Sequence, residues 1–225
     1  IGKNLVAGQW RDSESRNRIE VKSPYTGSAI GSVPDSTAGD VELAVRAAKI
    51  AAVAWRLIPT KERSQPMFRF RELLLENLDT LANRAAAEAG KTVAEAKAGV
   101  LKGVEVTEYA LSLQNMEQGG ILEVSRGVSC ETRREPLGVV AGITPFNFPA
   151  MVPMWLFPIA VTMGNAFILK PSEKVPLTSL LLGELMGKAG FPPGVFSVLH
   201  GRRAVVEALI DHPDVKAIGF VGSTV

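Results

Sequence analysis

The stretch Leu137–Ile143 (LGVVAGI), the loop Thr144-Pro145-Phe146-Asn147-Phe148-Pro149, the run Ala150–Met163 (AMVPMWLFPIAVTM) and the run Ala166–Leu169 (AFIL) together decide the fold class. Apolar segments of strand length alternate here with an apolar segment of helix length. The alternation continues with Leu177–Ala189 as helix, Val195–Leu199 as strand, Ala204–Ile210 as helix and Val215–Val221 as strand. Short apolar strands separated by helices predict a parallel sheet covered on both faces, the doubly wound α/β class.

The same region tests a membrane reading, because Pro136–Leu169 contains no Asp, Glu, Lys, Arg or His and is long enough on paper to cross a bilayer. Pro145, Pro149, Pro153 and Pro158, with Asn147 and Asn165, cut it into pieces too short to span. A buried strand, a loop and a buried helix of a soluble α/β core is the simpler reading.

Upstream, Arg18–Lys22 and Ala29–Val33 flank Ser23-Pro24-Tyr25-Thr26-Gly27 and predict a hairpin. Thr37 and Asp40 have capping-box spacing ahead of an Ala-rich helix that runs to about Trp55. A second helical stretch is expected over Lys61–Ala89, stopping at Gly90. Thr92 and Glu95 repeat the capping box at the head of a long helix from Val93 to about Met116. After Gly119-Gly120, Ile121–Val124 and Val128–Arg134 predict a second hairpin, polar at alternate positions and suited to an exposed arm. The expected organisation is therefore residues 1–120, a hairpin arm over 121–136 and a βαβ core over 137–225.

With 225 residues, 25 Lys+Arg against 23 Asp+Glu, and 46% hydrophobic residues, the composition is that of an ordinary globular protein of one large or two small domains. The charge is nearly balanced and no basic stripe stands out, so nucleic acid is a poor candidate partner. The single Cys130 cannot form an internal disulfide and no signal-peptide pattern opens the chain, which favours a cytoplasmic, reducing compartment. The first residue is Ile1, and Val225 closely follows an apolar strand, where a helix is expected to begin, so the chain is expected to be part of a longer protein.

Ligands of an open parallel sheet bind outside the carboxyl ends of its strands. The residues there are Thr144–Pro149, Lys170-Pro171-Ser172-Glu173-Lys174, His200-Gly201 and Gly222-Ser223-Thr224. Gly222-Ser223-Thr224, at an expected helix start, suits either a phosphate or a plain N-cap. Lys170 with Glu173 suits either a solvated surface pair or a grip on ribose hydroxyls, which need a donor and an acceptor at fixed places. Asn147, on a loop stiffened by two prolines, is either a loop-capping amide or a neutral donor aimed at a developing oxyanion. No G-x-G-x-x-G follows any strand, and Gly90-Lys91-Thr92 has Ala85 where a P-loop needs its first glycine. His200 and His212 have no cysteine cluster near them in sequence, so no metal site is expected. Cys130, in the expected arm, reads as inert.

These spots resemble the aldehyde dehydrogenase superfamily and, within it, the CoA-acylating methylmalonate-semialdehyde dehydrogenases. The likeness rests on Gly142–Pro149, Lys170-Pro171-Ser172-Glu173, the turn Ala189–Val195 and Gly219-Phe220-Val221-Gly222-Ser223-Thr224, in this order and spacing. Phe146 and the run Met151–Pro158 resemble the methylmalonate-semialdehyde branch. The resemblance implies a Rossmann-like fold whose family also lacks G-x-G-x-x-G. It further implies that Asn147 donates to the thiohemiacetal oxyanion, that Thr144 and Phe146 line the NAD pocket, that Lys170 and Glu173 bind the adenosine ribose beside Lys174, and that Ser223 contacts the pyrophosphate. The hairpin around 121–135 would belong to an oligomerisation arm, implying a homodimer or homotetramer.

The resemblance places the nucleophilic cysteine beyond the Gly-Ser-Thr motif, outside this sequence, and Cys130 cannot replace it. Lys102 stands where relatives that act on carboxylated semialdehydes use an arginine for the substrate carboxylate; it keeps the charge but not the planar two-pronged grip. The implied activity is oxidation of a small aldehyde, methylmalonate or malonate semialdehyde, by NAD with transfer of the acyl group to CoA. Hydrolytic release of a free acid is the alternative within the class, and an inactive truncated binding protein the alternative outside it. A eukaryotic source would place the enzyme in the mitochondrial matrix.

Overall fold

The computed structural model describes residues 1–116 and 119–223. The chain opens with two strands too short to be found from sequence, β1 (Asn4–Val6) and β2 (Gln9–Arg11). Ala7 (φ 52°) and Gly8 (φ 73°) between them are both left-handed, the backbone a two-residue hairpin turn requires. The expected hairpin follows as β3 (Arg18–Lys22) and β4 (Ala29–Pro34). Ile19, Val21 and Val33 are buried on one face, and the alternate residues Arg18, Glu20 and Lys22 stay in water.

Helix α1 (Ala38–Trp55) starts as expected, with the Thr37 backbone N–H donating to Asp40 at 2.8 Å. The single helical stretch expected over Lys61–Ala89 is corrected to two helices, α2 (Thr60–Glu76) and α3 (Leu78–Ala89). Asn77 makes the break: its amide donates to the Leu73 carbonyl at 2.8 Å, and its ψ of 16° turns the chain out of α2. The side-chain bond does not by itself end a helix, since Asn83 makes the same bond to the Asp79 carbonyl inside α3; the break lies in the Asn77 backbone, which apolar periodicity does not reveal. Gly90 ends α3 with φ 67°, and Pro24 packs against it so closely that a Cβ there would sit 2.6 Å from the ring. Thr92 and Glu95 cap α4 (Val93–Ser112) reciprocally, through N–H bonds of 3.2 and 3.0 Å. A 3₁₀ turn over Leu113–Asn115 completes the expected length of this helix.

Strands β5 (Gly119–Ser125) and β6 (Val128–Arg133) form the second hairpin, with Ile121, Leu122, Val124, Val128 and Cys130 all exposed. Beyond it run β7 (Val139–Ile143), α5 (Met151–Thr162), β8 (Ala166–Lys170), α6 (Leu177–Ala189), β9 (Phe196–Val198), α7 (Arg203–Asp211) and β10 (Val215–Phe220). The sheet order is β10-β7-β8-β9-β1-β2. The four expected strands pair in parallel, and β1 and β2 extend the sheet antiparallel. This is the expected doubly wound α/β architecture with an added antiparallel edge.

Every position of β7 and β8 is buried, as a strand covered on both faces requires. Val139, Ala141 and Ile168 face α1 and α7, packing with Val41, Val45 and Leu209. Val140, Phe167 and Leu169 point the other way into a second core with Phe70 and Phe157. On that side α4 and α5 approach through Gly103, whose missing Cβ makes room for Met154. Among the described residues no helix is long and apolar enough to cross a membrane. The uncharged run of Pro136–Leu169 is divided between β7, a loop, α5 and β8.

Candidate active site

Parallel register brings the strand ends to one level: Ile143 lies beside Lys170 on one side and Phe220 on the other. Backbone bonds continue the alignment into the loops. Thr144 N–H donates to the Lys170 carbonyl at 3.2 Å, Leu199 N–H to Leu169 at 2.9 Å and Val221 N–H to Ile143 at 3.1 Å. The four loops inspected in the sequence therefore leave the same edge of the sheet.

Lys170 closes β8 rather than opening the following loop, and its side chain is only 4% exposed. A solvated surface pair is thereby excluded. Its ammonium lies 3.2 Å from Glu173. Burial lowers the Lys170 pKa, while Glu173 and, more weakly, Asp35 pull it back. For Glu173 burial pushes the carboxyl up, but its own backbone N–H, Lys170 and Lys174 outweigh that and hold it below its ordinary value. Lys174 reaches back over the Phe146 ring at 4.6 Å, which ties the β8 loop to the β7 loop. A cleft of about 500 Å³ opens beside them, lined by Phe146, Glu173, Lys174, Val175, Glu88 and Arg202 among others.

The β7 loop has the opposite character. Thr144 is buried, whereas Phe146 and Asn147 are exposed, and the Asn147 side chain has no hydrogen-bond partner among the described residues. Its neighbour Phe148 is held from outside the sheet: the Lys91 ammonium sits 3.5 Å from the ring centroid, and Gly99 of α4 borders the same ring. Burial lowers the Lys91 pKa, opposed by Glu95. Lys102, further along α4, is exposed and paired with Glu105 at 2.5 Å; it does not line the 500 Å³ cleft. Ser223 is exposed beyond β10, while Thr224 and the helix expected after it lie outside the described residues.

At the end of β9, His200 is 1% exposed and neither ring nitrogen makes a well-aligned hydrogen bond. Burial first, and then the charge of Lys170, push its pKa down to about 3, with only the Lys3 backbone among the stronger influences pulling it up. A buried imidazole beside a buried ammonium stays neutral.

The structure thus places Phe146, Glu173 and Lys174 on one cleft, with Lys170 paired to Glu173 and Thr144 bonded to the Lys170 backbone behind them; Asn147 is exposed on the same loop as Phe146, and neither it nor Lys102 nor Ser223 lines the cleft. Glu88 and Lys91 were not found from sequence. Glu88 did leave a signal: it falls in helical register with the buried Leu81 and Ala85, where a carboxylate needs a partner.

An open parallel α/β domain with a charged and aromatic crevice at its strand ends is a ligand-binding class of fold. The aldehyde dehydrogenase family model matches residues 10–225, and the chain belongs to that family. It is 46% identical over 222 residues to malonate-semialdehyde dehydrogenase 1 of Geobacillus kaustophilus (strain HTA426), covering 98% of this chain and 46% of that protein. It is 45% identical to the acylating, mitochondrial methylmalonate-semialdehyde dehydrogenase of Arabidopsis thaliana, covering 98% of this chain and 36% of that one. A crystal structure from Sinorhizobium meliloti 1021, described as a methylmalonate-semialdehyde dehydrogenase complexed with NAD, superposes with a TM-score of 0.96 at 37% identity, over 98% of this chain and 45% of that one. The chain spans less than half the length of these curated relatives.

Proposed function

We propose that the polypeptide carrying this sequence oxidises malonate or methylmalonate semialdehyde with NAD and passes the acyl group to CoA. The observation that carries this reading is the pairing of two adjacent strand-end loops, one burying Lys170 against Glu173 and the other presenting an exposed Asn147 with no partner among the described residues. The likeness to relatives named for malonate and methylmalonate semialdehyde, one of them acylating, supports the substrate class and the acceptor.

The residues present fit a dinucleotide. A buried ammonium and a half-exposed carboxylate 3.2 Å apart offer a donor and an acceptor to neighbouring ribose hydroxyls, and the exposed Phe146 ring borders the same cleft. Bound NAD supplies the hydride acceptor. Lys170 and Glu173 hold its ribose, with Lys174 beside them, Thr144 and Phe146 line its pocket, and Ser223 meets its pyrophosphate. Asn147 donates its amide N–H to the oxygen that becomes negative when a cysteine thiolate outside this sequence adds to the aldehyde. A neutral donor already stripped of protein partners needs little reorganisation to do so. Lys102, once drawn from Glu105, offers its ammonium to the substrate carboxylate. Copies of the chain meet through the exposed β5–β6 hairpin, whose apolar side chains have no cover among the described residues of one chain.

The test is an assay of the complete polypeptide with both semialdehydes and NAD, with and without CoA. Sustained turnover of NAD that requires CoA is the expected result, since hydride transfer precedes acyl transfer and one equivalent per site is reduced without it. Sustained turnover independent of CoA would transfer the assignment to a hydrolytic enzyme, and no reduction in any combination would end it.

A further inference from the structure

We infer that Glu88 is a positioning residue for the cofactor, setting the ribose-gripping loop from a helix that the proposed chemistry does not otherwise use. This inference rests on the NAD reading above. Glu88 lies on the last turn of α3 and is 2% exposed. Its carboxylate reaches across to the first turn of α6, accepting the Leu177 N–H at 2.6 Å, the Thr178 N–H at 2.9 Å and the Thr178 hydroxyl. The N-cap of α6 is Pro176, which has no side-chain acceptor, so the free amides that a local Ser, Thr or Asp would satisfy are instead satisfied by a carboxylate from α3.

The consequence lies in where α6 begins. Lys170 is fixed by β8 and Leu177 by Glu88, and the short segment between them carries Glu173 and Lys174. Within it Val175 N–H bonds the Ser172 carbonyl at 3.2 Å, and Lys174 N–H bonds the Ser172 hydroxyl at 3.3 Å. Such a tight segment cannot absorb a shift at one end without moving the carboxylate that pairs with Lys170. Glu88 also lines the same cleft as Glu173 and Lys174, so its effect is local to the cofactor.

The experiment compares the complete wild-type polypeptide with Glu88→Gln and Thr178→Val, measuring NAD affinity by calorimetry, kcat and KM by steady-state kinetics, and thermal melting. Glu88→Gln keeps the size but turns an amide donor toward one of the donors it must satisfy. The expected result is an NAD Kd and KM raised about fivefold or more, with kcat at saturating NAD close to wild type. A folded Glu88→Gln protein with a lower melting temperature and unchanged NAD affinity would overturn the inference, as would a loss confined to kcat. Should Glu88→Gln fail to fold, Thr178→Val decides by the same criterion, with about a twofold rise in Kd expected and no change overturning the inference. Failure of the wild type itself to bind NAD would overturn the cofactor reading and this inference with it, an outcome visible before any variant is made.

Discussion

The loop that leaves β7 carries an exposed amide at Asn147 with no partner among the described residues, whereas the loop that leaves β8 follows a lysine only 4% exposed and paired with Glu173. Both start at the same level of the same sheet, one strand apart. They differ in what fastens them. The β7 loop is gripped through an aromatic ring, Phe148, under Lys91, and the β8 loop through charge, by the Lys170–Glu173 pair and by Glu88 at the start of α6. On the proposed function, an amide that waits for a transient oxyanion has to be left free, and its support comes from the neighbouring residue. Groups that hold a lasting ligand can be neutralised by one another until it arrives. The two loops still touch, through Lys174 over Phe146 and the Thr144 N–H on the Lys170 carbonyl, so one sheet edge fastens Asn147 and the Lys170–Glu173 pair by different outside contacts while keeping them in register.

Substitutions can break that division, and the largest effect is expected at Asn147. In the complete polypeptide, Asn147→Ala should lower kcat about 10²–10³-fold, the usual loss for one oxyanion donor, while the NAD Kd stays within about twofold. Steady-state kinetics beside calorimetry checks this, and a matching loss of NAD affinity would erase the distinction between the loops. Lys170→Ala should do the reverse, raising the NAD Kd about 10–100-fold because Glu173 loses its partner along with the ribose donor. A direct NAD titration reads it, and equal affinity would remove Lys170 from NAD binding.

Acid sharpens the comparison from the side of β9. The folded pKa of His200 is pushed down to about 3 from its ordinary 6.5, so its stabilising contribution is intact above 6.5 and is lost as the pH falls toward 3. Stability should decline on acidification by up to about 1.4 kcal/mol per pH unit from this group, and His200→Asn should flatten that part of the curve. Urea melts at a series of pH values measure it; identical slopes in both proteins would show that His200 charges freely in the fold. The smallest effect is expected at Lys91. Lys91→Met keeps the packing over Phe148 and removes the charge, which should lower kcat about two- to fivefold with NAD affinity unchanged. If NAD affinity falls instead, Lys91 supports the wrong loop.

Much of this arrangement is legible in the sequence because it is local. Proline-bounded loops after apolar runs expose Asn147 and Lys170 as candidates, and the Thr92–Glu95 spacing alone identifies a helix start that the bonds then realise. The illegible parts are those that depend on distant partners. β1 is a three-residue strand defined by its pairing with Gln9–Arg11 and Val198. At Asn77 a helix breaks where the apolar pattern runs on unbroken, because the turn is a backbone event at one residue that apolar period does not encode. Glu88 falls on the buried register of α3 beside Leu81 and Ala85, which asks for a partner, but the partner itself is seen only when α6 starts against it.

The doubly wound α/β core, the β3–β4 and β5–β6 hairpins, the capped helices and the candidate residues at the strand ends follow from sequence alone, since apolar period and turn chemistry act over a few neighbouring residues. Only the tertiary structure decided that Lys170 is buried, that Asn147 is free, that His200 is held neutral and that Glu88 fixes the start of α6. Burial and electrostatic partnership are properties of groups brought together across the fold, and the free energies involved depend on which partners water has been replaced by.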